Sequence, residues 1–272
     1  MPAIDPARLR RQVDALAEQA SDPAALLGGI LEIFDFYRDR TRRLTASARS
    51  MDPHRQVYGV PRPVVRALIR GLLEALQADL ARILPLGTGL WDTGIAEAQF
   101  LATSIVGGLS CDPAADWVEA LASVSPSQRP LSELAEHGLL AWRRERPQDL
   151  LVRIEAWLRS GEDRQRALAA YALAALVQDK DFVDLPAVYQ RLEASLRDAR
   201  GLIQPALQHL VTELAGRSAP ETARLLQDLL TRGLPGMAHL TRRTLASFPT
   251  QQRDALERTL MAVRRAGIMP PS

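Results

Sequence analysis

The chain has 272 residues, 47% of them hydrophobic, a formal charge of +2 and a single cysteine, Cys111. That length and apolar content are enough to bury a sizeable core and exclude a disordered chain, while one cysteine excludes an intramolecular disulfide and a multi-cysteine metal site. No apolar run approaches the roughly 18 residues of a membrane span, and the N-terminus lacks a charged segment followed by an apolar one, so a soluble, cytoplasmic protein with no membrane role is expected.

Apolar positions recur at helical spacing along nearly the whole chain. Leu9, Val13 and Leu16 predict a first helix, and after the Ser21-Asp22-Pro23 break, Leu26, Leu27, Ile30, Leu31, Phe34 and Tyr37 predict its hairpin partner. Thr45 to Tyr58 is polar and poorly periodic and reads as an irregular loop, ending at Gly59-Val60-Pro61, where a proline can open a helix. One long helix is expected from Val64 to Ile83, closed by Pro85, Gly87 and Gly89, and another from Ile95 to Leu109. Asp112-Pro113 opens a helix through Trp117 and Leu121, the segment from Ser123 to Pro130 interrupts it, and Leu131 to Arg144 follows.

Pro147 starts a helix through Leu158, and the alanine-rich stretch Arg164 to Val177 suits a helix that neighbours approach closely. Further helices are predicted over Leu185 to Arg197, Leu202 to Ala215, Pro220 to Leu230, Gly236 to Ala246 and Gln251 to Ala266. About a dozen helices of paired-repeat length without a convincing strand point to an all-α fold, an α-solenoid of paired antiparallel HEAT-like repeats. An irregular orthogonal bundle is the alternative. The expected organisation is one repeat domain over 1–272, with N-terminal helices and a loop in 1–58, the repeat core in 59–232 and C-terminal helices in 233–272.

Lys180 is the only lysine, so the positive charge is almost all arginine, a residue suited to planar, bidentate anion contacts; a GC-rich genome explains the same usage. Arg38, Arg40, Arg42, Arg43, Arg49, Arg55, Arg62, Arg66 and Arg70 stand against only Asp39 and Asp52, a stretch suited to facing phosphates. No nucleophile elbow, phosphate-binding glycine loop or paired-histidine zinc helix is present. His54, His137, His209 and His239 are far apart with no two on one helical face, so neither a metal site nor a cofactor is expected. Trp91, Trp117, Trp142 and Trp157 sit where helices need large apolar knobs, which favours core packing over base stacking. Glu97, Glu133, Glu136 and Glu213 lie on amphipathic helices, where solvated faces, caps or pairs with arginines are expected.

Three stretches resemble the DNA alkylation-repair glycosylases built from HEAT-like repeats: Tyr58-Gly59-Val60-Pro61-Arg62-Pro63 leading into a helix, Leu90-Trp91-Asp92-Thr93 followed by Glu97 and Phe100, and Asp163-Arg164-Gln165-Arg166-Ala167. A weaker match runs from Ile203-Gln204 to Glu213. The resemblance covers about Leu26 to Leu230, in the family's order. It implies a concave stack of helix pairs cradling duplex DNA, and an activity that removes cationic alkylated purines. That chemistry needs a carboxylate to offset the oxocarbenium charge and aromatic faces for cation–π attraction.

Counting back from Pro147, the family's Trp-Trp-Asp run falls on Ser127, Gln128 and Arg129, so both aromatics are lost and the catalytic carboxylate becomes a cation. A small shift of register brings in only Glu133. The family's later tryptophan corresponds to His209, whereas Arg166 keeps its counterpart, with phosphate contact as the implied role. Bland readings stand beside these: Arg166 paired with Glu162, Arg129 solvated in a loop, His209 structural. The expectation is therefore a monomeric protein that binds duplex DNA, alkylated DNA included, without the usual acid. Arg129, Arg166, Arg62, Arg66, Arg43 and His209 are the DNA-binding residues, and there is no catalytic residue unless Glu133 serves an active alkylpurine glycosylase. A protein-interaction scaffold with a protein partner is the third reading.

Overall fold

A computed structural model describes residues 4–39, 55–125, 127–196 and 203–266. These form fifteen α-helices, one 3-10 turn at Leu245–Ser247 and one isolated bridge between Gln56 and Ile95, with no strand among the described residues. In order the helices are α1 (Pro6–Ala17), α2 (Pro23–Tyr37), α3 (Arg62–Leu76), α4 (Leu80–Asp92), α5 (Ala96–Val106), α6 (Asp112–Val124), α7 (Gln128–His137) and α8 (Leu140–Glu145). They continue as α9 (Pro147–Leu158), α10 (Asp163–Gln178), α11 (Leu185–Ser195), α12 (Ile203–Arg217), α13 (Ala219–Thr231), α14 (Met237–Thr244) and α15 (Thr250–Arg265).

The helix starts follow from local chemistry. Asp5 and Asp22 each accept hydrogen bonds from two backbone N–H groups of the first turn, and a proline follows each at the first helical position. This satisfies donors that a helix end leaves open, and proline there forfeits no bond.

The chain divides into two compact units, one of Met1–Ala120 with His137–Glu145, the other of Leu121–Glu136 with Arg146–Ser272. In the first, α1 packs on α3 and α3 on α5, while α2 packs on α4; α1–α2 and α4–α5 contacts tie the two rows. In the second, α10 packs on α12 and α12 on α14, α9 contacts α11, and α13 carries α15. Contacts of α9 with α10, α10 with α11 and α12 with α13 join these rows. Each unit is thus a double layer of paired helices, and the fold is the all-α, HEAT-like class expected. Helix α10 is buried at every position from Ala167 to Val177. Its alanines explain how it fits among three neighbours, since a helix apolar all round must be enclosed.

Two segments differ from the periodicity reading. The single helix expected from Val64 to Ile83 is two helices. Gln77 (φ 46°) and Ala78 (φ 60°) adopt the left-handed conformation, which ends α3, and the Asp79 side chain starts α4 by accepting from Ala81 N–H at 3.0 Å. Helix α4 then runs through Pro85 and Gly87. Gly87 is there for clearance, because a Cβ would lie 3.0 Å from Val106 Cγ2 and 3.3 Å from Trp117 Cζ2. The helix expected over Leu131–Arg144 is broken between His137 and Leu140. It also begins earlier, at Gln128, so Pro130 sits in the first turn, where its missing N–H is tolerated. The break brings the His137 carbonyl against Gly107, where a Cβ would lie only 1.7 Å from that oxygen, and Ala141 N–H donates to the Gly107 carbonyl at 2.8 Å.

The four tryptophans are buried, at 7% for Trp91, 8% for Trp117, 3% for Trp142 and 2% for Trp157. Trp91 and Trp117 meet edge to face at 6.2 Å, and Trp117 Nε1 donates to Thr88 Oγ1 at 3.0 Å. They pack the core as expected. Among the described residues no helix is long and apolar enough to cross a membrane.

Candidate nucleic-acid interface

Helix α3 is launched from a short segment pinned on three sides. Gln56 N–H donates to the Gly94 carbonyl at 2.9 Å and Ala96 N–H to the Gln56 carbonyl at 2.7 Å. The Glu97 carboxylate accepts from the backbone N–H of Tyr58 at 3.1 Å, Gly59 at 2.7 Å and Val60 at 3.3 Å. Gly59 takes φ 72°, a conformation that glycine adopts without strain, and this turns its N–H toward the carboxylate. On the other side Asp39 N–H donates to the Tyr58 carbonyl at 3.0 Å, and the Arg38 guanidinium stacks 4.4 Å over the Tyr58 ring.

From this base α3 projects Arg62, Arg66 and Arg70, all exposed. They recur every fourth residue and so form one stripe, with successive side chains about 6 Å apart along the axis. Among the described residues none of the three side chains has a hydrogen-bond or ion-pair partner, and the nearest acid in the stripe is Glu74. Three partnerless guanidinium groups at regular spacing offer charge and hydrogen-bond donors to an anion without first breaking an internal bond. Arg43 lies outside the described residues.

The other expected contacts are engaged differently. Arg129, on α7, donates from Nε to Glu133 Oε1 at 3.4 Å; its side chain is 54% exposed and that of Glu133 17%. Arg129 is therefore a helical residue in an i, i+4 pair, not a loop residue. Arg166, on α10, is 21% exposed and pairs with Asp163 on its own helix, rather than with Glu162. The i, i+3 spacing brings Asp163 over Arg166, whereas Glu162 precedes the helix. His209 sits on α12, its Nδ1 3.9 Å from Glu213 Oε1 and its ring 5.7 Å from that of Tyr171 on α10. Tyr171 is buried, and burial pushes its hydroxyl up to about 12, because the phenolate would lose hydration there. Arg62 and Arg66 share one surface in the first unit; Arg129, Arg166 and His209 are in the second.

Several arginines are tied up in ways that sequence does not reveal. Arg164 donates to the carbonyls of Ser125 at 3.1 Å and Ser123 at 3.2 Å, closing the end of α6. Arg217 donates to Val177 at 3.2 Å, Asp179 at 2.8 Å and Phe182 at 3.0 Å, closing the end of α10. Arg70, in the arginine-rich stretch but not among the six expected DNA contacts, joins the stripe through its four-residue spacing from Arg66. Among the described residues no group of three or more His, Cys, Asp or Glu could hold a metal ion.

Comparison with curated proteins and with solved structures finds no match. One family model, described as DNA alkylation repair enzyme, matches residues 38–248 and leaves α1, α2 and α15 outside. Since that match spans most of the 272 residues, the chain belongs to the DNA alkylation repair enzyme family.

Proposed function

We propose that this protein binds DNA through the phosphodiester backbone and lacks the acid with which family glycosylases release a base. The observation that carries the reading is the Arg62, Arg66, Arg70 stripe, exposed and without side-chain partners among the described residues. Such contacts confer affinity that falls with salt and depends little on sequence. Arg43 is a further phosphate contact in this reading. Arg129, Arg166 and His209 join it by exchanging their carboxylate partners for phosphate oxygens. Family membership supports DNA as the polyanion, and the arginine at position 129, where the resemblance places the catalytic acid, supports binding without excision. A cation there would repel a developing oxocarbenium charge.

The half-buried Glu133, one helical turn from Arg129, favours a second reading as an active alkylpurine glycosylase. Both are tested by titrating labelled duplex, intact or carrying an N7-alkylated purine, at two salt concentrations while assaying release of free base. Salt-sensitive binding without release is expected, with the joint replacement of Arg62, Arg66 and Arg70 by Ala reducing the log–log salt slope by about 2 to 3. If joint replacement of Arg129, Arg166, Arg62, Arg66 and Arg43 by Ala leaves low-salt affinity unchanged, the proposed contacts are wrong. Base release that disappears in Glu133→Gln would establish the glycosylase instead. No binding even at low salt would put a protein-interaction scaffold first.

A further inference from the structure

We infer that α14 carries a second phosphate-binding patch, formed by His239, Arg242 and Arg243, which grips a DNA backbone. The inference rests on the DNA-binding reading and adds a contact in the second unit. The three residues are exposed and stand at i, i+3 and i+4 on one face, and among the described residues none of their side chains has a hydrogen-bond or ion-pair partner. The opposite face, Met237, Leu240, Thr241 and Thr244, is buried and holds the helix against α12 and α13. From Leu229 to Arg253 the chain contains no Asp or Glu.

That isolation separates the patch from several other cations of its unit. Arg191 and Arg232 are paired with Glu155 and Glu193, Arg164 and Arg217 are committed to carbonyls, and the exposed arginines of α15 share their helix with Asp254 and Glu257. The helix is also firmly set. Ser247, one turn after Arg243, donates to Thr212 Oγ1 at 3.2 Å, and Thr212 lies one turn after His209 on α12. The patch therefore belongs to the row of helices that carries His209 and Arg166. Cations in a last turn also favour the helix dipole, but that effect does not reach His239, in the first turn of this eight-residue helix. Arg242 and Arg243 supply planar forks for phosphate oxygens, and a histidine in either charge state donates an N–H.

The test uses the full chain with Arg242 and Arg243 both replaced by Ala, the same pair replaced by Lys, and the α3 triple Ala variant. Duplex affinity is measured across a salt series, with thermal melting as the folding control. The expected result is a salt slope flatter by about 1.8 in the Ala pair, two phosphates at about 0.9 each, with the slope retained in the Lys pair. An unchanged slope in the Ala pair, while the α3 variant flattens it, would overturn the patch and leave the proposed function standing. Wild-type protein that fails to bind would remove both.

Discussion

Gly59 donates its backbone N–H to Glu97 Oε1 at 2.7 Å across 38 residues of sequence. The same carboxylate serves Tyr58 and Val60, so three donors that no helix could satisfy depend on one side chain. Glu97→Ala should lower the unfolding free energy by about 2 to 3 kcal/mol, because hydrogen bonds to a charged acceptor are strong and the donors left behind are part-buried. Glu97→Gln should lose less, as its amide keeps one acceptor oxygen. Urea unfolding of both variants checks this, and equal losses would mean that charge contributes nothing.

Gly107 and Gly216 make opposite predictions. A methyl at Gly107 would collide with the His137 carbonyl, a backbone atom that cannot swing aside, so Gly107→Ala should cost about 3 kcal/mol or more. At Gly216 a Cβ would meet nothing within 4 Å, and the residue lies inside α12. Gly216→Ala should therefore raise stability by about 0.5 to 1 kcal/mol. Melting temperatures that move in the same direction for both would contradict the packing described.

Arg217 binds three carbonyls with two nitrogens of one rigid fork. Arg217→Ala should destabilise by about 2 kcal/mol, and Arg217→Lys should restore little of it, since one ammonium cannot reproduce the planar arrangement. Hydrogen exchange should show earlier opening at Asp179–Phe182 in both variants. Full protection in the lysine variant would show that charge alone holds the turn.

Tyr171 makes stability pH-dependent at the alkaline end. Burial raises its folded value from 10.0 to about 12, so an unfolded chain ionises first. The stabilisation is complete below about pH 10 and is lost as pH rises through about 12, to a maximum of about 2 to 3 kcal/mol. Unfolding curves for wild type and Tyr171→Phe should diverge over that window, with wild type losing more. Curves that stay parallel would mean that the phenol ionises normally.

Helix starts marked by aspartate and proline were legible in sequence because these residues act locally, as at Asp22-Pro23. The break at Gln77-Ala78 was not, since neither residue favours a left-handed backbone; it follows from the separate packing of α3 on α1 and α5 and of α4 on α2 and α5. The same division runs through the interface. Arg62 and Arg66 follow from spacing on a helix, whereas the role of Glu97 was hidden because its partners are backbone groups far along the chain. Arg164 and Arg217 look like any other arginine until the helix ends they close are in place, and the pairing of Arg129 with Glu133 needed α7 to begin before Pro130.

The residues His137–Glu145, which belong to the first unit although the second has already begun at Leu121, have a consequence for synthesis. A ribosome delivers α5 well before the segment that closes over Gly107, so the first unit stays incomplete until Glu145 has emerged, and part of the second must wait outside the exit tunnel meanwhile. Cutting the chain once, anywhere between Leu121 and Glu145, therefore leaves neither unit whole.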